Sequence, residues 1–145
     1  MSERSRFSAK KIITNVLANR YVGEIMSFFY KDLIGMDTLT LYKKRIKHEV
    51  VQRDIRCFRA FNGYVEAIVG SQIFRKDTTL KALEQVLDDR LFVRINRQYI
   101  VNLSFIEEKN ESNIWIDGIE ISVSRRRRKE FFQKNITFEM NYLYR

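Results

Sequence analysis

The sequence predicts a mainly β fold: an antiparallel β domain with one packed helix, preceded by an N-terminal helix. Three observations lead there. Beyond Gly35 the chain breaks into short runs that alternate apolar and polar residues, the period of a strand with one face covered. Two pairs of such runs flank Asn62-Gly63 and Asp117-Gly118, dipeptides suited to the left-handed backbone of a tight hairpin. Within this region a single stretch, "DTTLKALEQVLDD", sets its apolar residues at helical spacing.

Taken in order, residues 8–34 come first. They place Ile12, Ile13, Val16, Leu17, Tyr21, Ile25, Phe28 and Phe29 at mostly helical spacing, with Gly35 as a stop and a break expected near Gly23. The chain therefore divides into a helical extension, 1–36, and a domain, 37–145. The extension has two open uses: packing on the domain, or association with a second copy or a protein partner. Membrane-surface binding ranks behind them and rests on apolar "IMSFFY" with basic flanks.

The strands follow. "TLTLY" and "KHEVV" are expected to pair across Lys43–Ile46, and "IRCFRAF" and "YVEAIV" across Asn62-Gly63, with both turn residues at positive φ. Gly70-Ser71 turns the chain into "QIFRK". The helix places Leu80, Leu83, Val86 and Leu87 on one face, capped by Asp77 or Thr78, and closes one side of the sheet core. "LFVRI" and "FIEEK" are further strands, and "NIWID" and "IEISV" form the second hairpin. Phe92, Tyr99, Ile100 and Val101 are read as core, and Asn102 as a structural amide tied to nearby backbone.

"ISVSRRRRKEFF" runs a strand into five adjacent cations. If 125–134 is helical, Ser124 caps it and Phe131 and Phe132 mark the buried side. Arg128 then lays its stem over apolar surface, while Arg126, Lys129 and Gln133 face out with Arg125 and Arg127 beside them. The tail "ITFEMNYLYR" alternates and fits one more strand, with no functional reading attached.

Composition narrows the function. The 145 residues, 45% hydrophobic, suffice for one domain with a real core. A net charge of +9 favours a polyanion, nucleic acid or an anionic membrane surface. Lone Cys57 cannot form an internal disulfide, which suits a reducing cytoplasm, and it reads as a small core residue. His48 is the single histidine, so a multi-histidine metal site is excluded, and its strand context offers no nucleophile turn for a triad. There is no phosphate-cradling glycine loop and no CxxC. No enzyme activity, cofactor or metal is therefore expected. No stretch reaches 18 apolar residues, so no spanning helix is expected, and the N-terminus makes a poor signal peptide.

Two segments carry a family likeness. "FVRINRQYIVNLSFIEE" (92–108) and "IDGIEISVSRRRRKEFF" (116–132) resemble the LytTR DNA-binding domain of bacterial transcription regulators. That family shows F-x-R-x-H-R-S-Y-I-V-N, then a D-G hairpin, then a strand ending V-S-R with a basic run. Here the matching residues are Phe92, Arg94, Asn96, Arg97, Gln98, Tyr99, Ile100, Val101 and Asn102, then Val123, Ser124 and Arg125. "RDIRCFRAFNGYVEAIV" resembles its earlier hairpin and "DTTLKALEQVL" its single helix, so the likeness spans roughly 38–135.

The resemblance implies an elongated, mostly antiparallel fold whose loops enter successive major grooves and bend the DNA. Three loops would do so here: Asn62-Gly63 with Tyr64; Asn96, Arg97 and Gln98; and Ser124 through Arg128, with Arg126 foremost, Arg125 and Arg127 beside it and Lys129 as a further contact. Asn96 replaces the usual histidine and Gln98 the usual serine, which bears on base preference. Most members follow a receiver domain. Residues 1–37 are too short for one, so the chain resembles a stand-alone cytoplasmic member acting on repeated promoter sites in duplex DNA, with a homodimer as one expectation.

The chemistry of these residue types fits. Arginine can grip guanine, and asparagine or glutamine adenine, at ~1–3 kcal/mol of discrimination per good pair. For Asn96 and Gln98, turn-forming roles compete with base contact. Two other readings stand beside this one. A single-strand or RNA binder would stack bases on exposed aromatics such as Phe58, Phe61, Tyr64 or Trp115. A membrane-associated signalling adaptor would use the 8–34 helix as its anchor.

Overall fold

The computed structural model describes residues 33–143. The expected N-terminal helix over 8–34 lies almost wholly outside them. Among the described residues the elements run β1 (Thr38–Lys43), β2 (Ile46–Val51), β3 (Cys57–Ala60), β4 (Val65–Val69), β5 (Gln72–Lys76), α1 (Leu80–Val86), β6 (Phe92–Arg94), β7 (Tyr99–Asn102), β8 (Glu108–Lys109), β9 (Asn113–Ile116), β10 (Ile119–Ser122) and α2 (Arg128–Phe138). A seven-stranded sheet has the order β2-β1-β5-β4-β3-β7-β6, and a three-stranded sheet the order β10-β9-β8. All pairings are antiparallel.

Alternation builds the core. Phe58 pairs with Ala67 on one side and Ile100 on the other, and Ala67 with Phe74, so one buried row crosses four strands. α1 covers that face with Leu80, Leu83 and the following Leu87, while Val86 is half-buried. α2 adds Phe131 and Phe138. The smaller sheet contributes Ile114, Ile116 and Ile121 to the same core. The Arg56–Asp117 ion pair ties its hairpin to the large sheet.

Several expectations are corrected. Asp117 and Gly118 both have positive φ, 53° and 74°, as does the Lys44-Arg45 turn at 52° and 66°. In the Asn62-Gly63 turn only Gly63 does, at 86°. Phe61 N–H donates to Tyr64 O at 2.8 Å, so the turn closes without left-handed backbone at Asn62. The α1 cap is neither Asp77 nor Thr78 but Thr79, whose hydroxyl accepts from Ala82 N–H at 3.1 Å. "FIEEK" yields a 3-10 turn, Leu103–Phe105, and the two-residue β8.

The single packed helix becomes two. Arg125–Arg127 form a 3-10 turn that leads into α2, and the tail read as a strand continues it as a π-helical turn, Glu139–Leu143. Ser124 precedes this turn, but its side chain caps nothing; its buried hydroxyl has no hydrogen-bond partner.

Two polar nodes fix the frame. Asn102, fully buried, donates to Ile55 O at 2.8 Å and accepts from Ser104 N–H and hydroxyl at 2.9 and 2.7 Å, as its structural reading expected. At the start of the described chain, Gly35 (φ 66°) donates to Asp88 Oδ2 at 2.8 Å. Arg53 donates to Ile34 O at 2.7 Å through its side chain and to Gly35 O at 2.8 Å through its backbone. Arg90 donates to Asp88 at 2.7 Å and reaches Leu33 O at 3.5 Å. Burial pushes the Asp88 carboxyl up, but the Arg90 hydrogen bonds and charge and the N–H groups of Gly35 and Arg90 outweigh it. The carboxyl lies below its ordinary range.

Candidate nucleic-acid interface

Strand pairing sets the three loops in a row. The first, 61–64, joins β3 to β4 beyond the Ala60–Val65 pair. The second, 95–98, joins β6 to β7, and β7 pairs with β3. Ala60 N–H donates to Gln98 O at 2.8 Å, which fastens the first loop to the second. The third loop follows β10 in the other sheet. Ser124 N–H donates to Ile95 O at 2.8 Å and Asn96 Nδ2 to Ser122 O at 2.7 Å, fastening the second loop to the third. Loops distant in sequence thus share one continuous edge.

In the first loop Asn62 is exposed and Tyr64 half-buried. Tyr64 stacks on Phe61, centroids 5.0 Å apart and planes 9° apart. The Arg75 guanidinium lies 3.8 Å from the Tyr64 ring centre and that of Arg59 4.7 Å from Phe61. Cation–π attraction on both rings reinforces the stack.

In the second loop Arg97 and Gln98 are exposed. Asn96 faces inward: its Oδ1 accepts from Gln98 and Tyr99 N–H, both at 2.8 Å, while Nδ2 holds Ser122. This is an Asx turn, with the side chain standing in for backbone. Arg94 donates to Asn96 O at 3.1 Å and Arg97 O at 3.3 Å. Arg94 had no assigned role from sequence; its place in the family pattern was the one signal for it.

In the third loop Arg125, Arg126 and Lys129 are exposed, as read for Arg126 and Lys129. Arg127 turns in, 4.0 Å from Glu84 Oε1, the same oxygen that stands 4.0 Å from Arg94. Arg128 donates to Val123 O at 3.2 Å, half-buried as its stem suggested.

The site residues thus divide. Asn62, Arg97, Gln98, Arg125, Arg126 and Lys129 present free surface, whereas Tyr64, Asn96, Ser124 and Arg127 are held within the edge. The stacking surface that a single-strand binder needs is thin. Phe58 is fully buried, and Phe61 and Tyr64 occupy each other's faces. Among the described residues no helix is long and apolar enough to cross a membrane.

Comparison with known proteins adds three findings. A family model for the LytTr DNA-binding domain matches residues 47–135. The LytTr DNA-binding domain of a Bacillus cereus protein has a similar solved structure, with a TM-score of 0.58 at 20% identity, covering 68% of this chain and 95% of that one. At that identity the likeness establishes the fold. A search of curated proteins returned no match. The family match takes in more than half the chain and all three loops, and the chain belongs to the LytTR family of DNA-binding domains.

Proposed function

We propose that this protein is a sequence-specific regulator of transcription that reads duplex DNA with the three-loop edge. The observation that carries the reading is the stitching of the loops. Three hydrogen bonds at the loop bases, Ala60–Gln98, Ser124–Ile95 and Asn96–Ser122, fix the spacing of exposed Arg97, Gln98, Arg125 and Arg126 before any DNA arrives. A pre-set array avoids the ordering loss that a floppy loop would bear on binding. Arg97 and Arg126 suit guanine edges, Gln98 and Asn62 adenine edges, and Arg125 and Lys129 phosphates. Asn96 and Arg94 act as positioning residues behind them.

In the fuller reading the loops enter successive major grooves at repeated promoter sites and the duplex bends round the edge. The chain acts as a cytoplasmic DNA-binding protein rather than an enzyme, divided near residue 36. Its helical extension associates with a second copy or a protein partner.

The test is a gel-shift series on promoter duplexes with salt varied and unlabelled non-specific competitor present. Binding should survive competitor, and Arg97→Ala should remove that selectivity at ~1–3 kcal/mol. Equal weakening on every sequence would reduce Arg97 to a phosphate contact. Loss of all binding to competitor would end the sequence-specific reading.

A further inference from the structure

β2 is the outer strand of the large sheet, and among the described residues β1 is its one strand neighbour. Ile46, Lys47, His48 and Glu49 are all exposed. The Lys44-Arg45 turn, with φ of 52° and 66°, is a two-residue hairpin turn, so the Lys43–Ile46 pair that closes it is a hydrogen-bonded pair. Hydrogen-bonded pairs alternate along an antiparallel ladder. The backbone groups of Ile46, His48 and Val50 therefore point to β1, and those of Lys47 and Glu49 point outward.

An open edge of this kind is a template for another strand, and proteins commonly block it with a lone lysine. This edge carries instead a lysine and a glutamate on one face, either side of His48. A two-fold axis through His48 sets each Lys47 opposite the partner's Glu49 and each Ile46 opposite the partner's Val50. Each Lys47–Glu49 pair would exchange two backbone hydrogen bonds. Centring the axis on Lys47 or on Glu49 would oppose like charges, so the sequence selects one register. The Glu49 carboxylate accepts from the hydroxyls of Thr40 and of Thr38 on β1, the latter at 3.1 Å, which holds its charge on this face of the sheet. Ile46, 62% exposed, gains apolar cover.

We propose that β2 is a self-pairing edge, at which a second copy of this chain adds its own β2 antiparallel about His48 and continues the sheet. The interface is small, so the pair forms reversibly with concentration. It leaves the three DNA loops untouched and does not depend on the DNA reading.

The test uses the full-length protein in sedimentation equilibrium across the micromolar to millimolar range, with hydrogen exchange at the Lys47 and Glu49 amides. The expected result is a monomer–dimer equilibrium in which those two amides slow as concentration rises. Lys47→Glu and Glu49→Lys should each weaken the dimer several-fold, and the double swap Lys47→Glu/Glu49→Lys should restore it. A protein that stays monomeric throughout overturns the proposal. So does a dimer indifferent to the single swaps, or one that the double swap fails to rescue. Amides protected equally at every concentration would mean that the chain's own N-terminal segment covers the edge, which also overturns it.

Discussion

Asn96 shows what a residue's identity conveys and what it conceals. Its type and its place before Arg97 marked it as a reader of bases or a turn former, and sequence left the two open. The choice lies with Ser122, whose carbonyl takes the amide from 26 positions away, a partner that no local pattern announces. Asn96→Ala removes three hydrogen bonds and should weaken binding by about 1–3 kcal/mol while relaxing selectivity under the second and third loops together. Arg97→Ala should relax it under the second alone, a contrast that base-by-base competition assays resolve. Asn102 was legible because a polar residue ending an apolar run needs backbone partners. Asn102→Ala strips Ile55 O of its donor inside the core and should lower unfolding free energy by about 1–3 kcal/mol in urea titration. Asp88 gives a pH signature. Its folded-state carboxyl lies below the ordinary value, so its contribution is complete above the unfolded value near ~4. That contribution drains away as pH falls through the lower folded value. Thermal melts should show an acid-dependent loss that Asp88→Asn, already less stable at neutral pH, largely lacks. Cys57 is buried, and burial, with Asp117 nearby, pushes its thiol up to about 11, consistent with the core role read from sequence.

At the scale of elements, hairpins and α1 were readable because their signals are local. Asp117-Gly118 specifies its own turn, and Leu80, Leu83 and Leu87 their own face. The α1 cap was missed by one or two residues because "DTT" offers three adjacent capping side chains, and only backbone geometry picks Thr79. The start of α2 was read as helical with Phe131 buried, but its end, from Ile136 on, was misread as a strand for a sharper reason. Its buried positions Phe131, Asn135 and Phe138 follow helical spacing, but the middle one is polar and breaks the apolar stripe. Asn135 is tolerated there because it donates to Glu139 at 3.3 Å one turn on. What remained visible, Ile136 and Phe138, mimics a strand. The two alternatives separate cleanly in a mutation pair. In a strand both side chains share one face; in α2 Phe138 is buried and Ile136 is 55% exposed. Phe138→Ala should cost about 3–5 kcal/mol of stability and Ile136→Ala a small fraction of that, by chemical denaturation.

Across the whole molecule, net charge announced a polyanion but not where it would lie. The edge that the sheets assemble gathers exposed Arg97 from the second loop and Arg125, Arg126 and Lys129 from the turn into α2, and that neighbourhood depends on β7 pairing with β3 and on the second sheet docking beside the first. Such long-range closure cannot be read from periodicity. Removing any one of these cations that touches phosphate should lower the slope of log affinity against log salt by about 0.9. A doubly neutralised Arg125→Ala/Lys129→Ala protein should thus lose nearly two, with sequence preference retained. A truncation that probes the extension is best begun at Leu33, because Ile34 is 1% exposed and belongs to the core. That fragment should keep duplex binding while its mass in solution or its solubility changes.

The clamp of Arg53, Arg90 and Asp88 on Leu33, Ile34 and Gly35 has a mechanical meaning. Leu33, Ile34 and Gly35 are gripped from two directions, by Arg53 on one side and by Asp88 with Arg90 on the other. Pulling on the described chain at Leu33 would strain these polar contacts before it disturbed β1, so removing either arginine should fray this end while leaving the sheet intact.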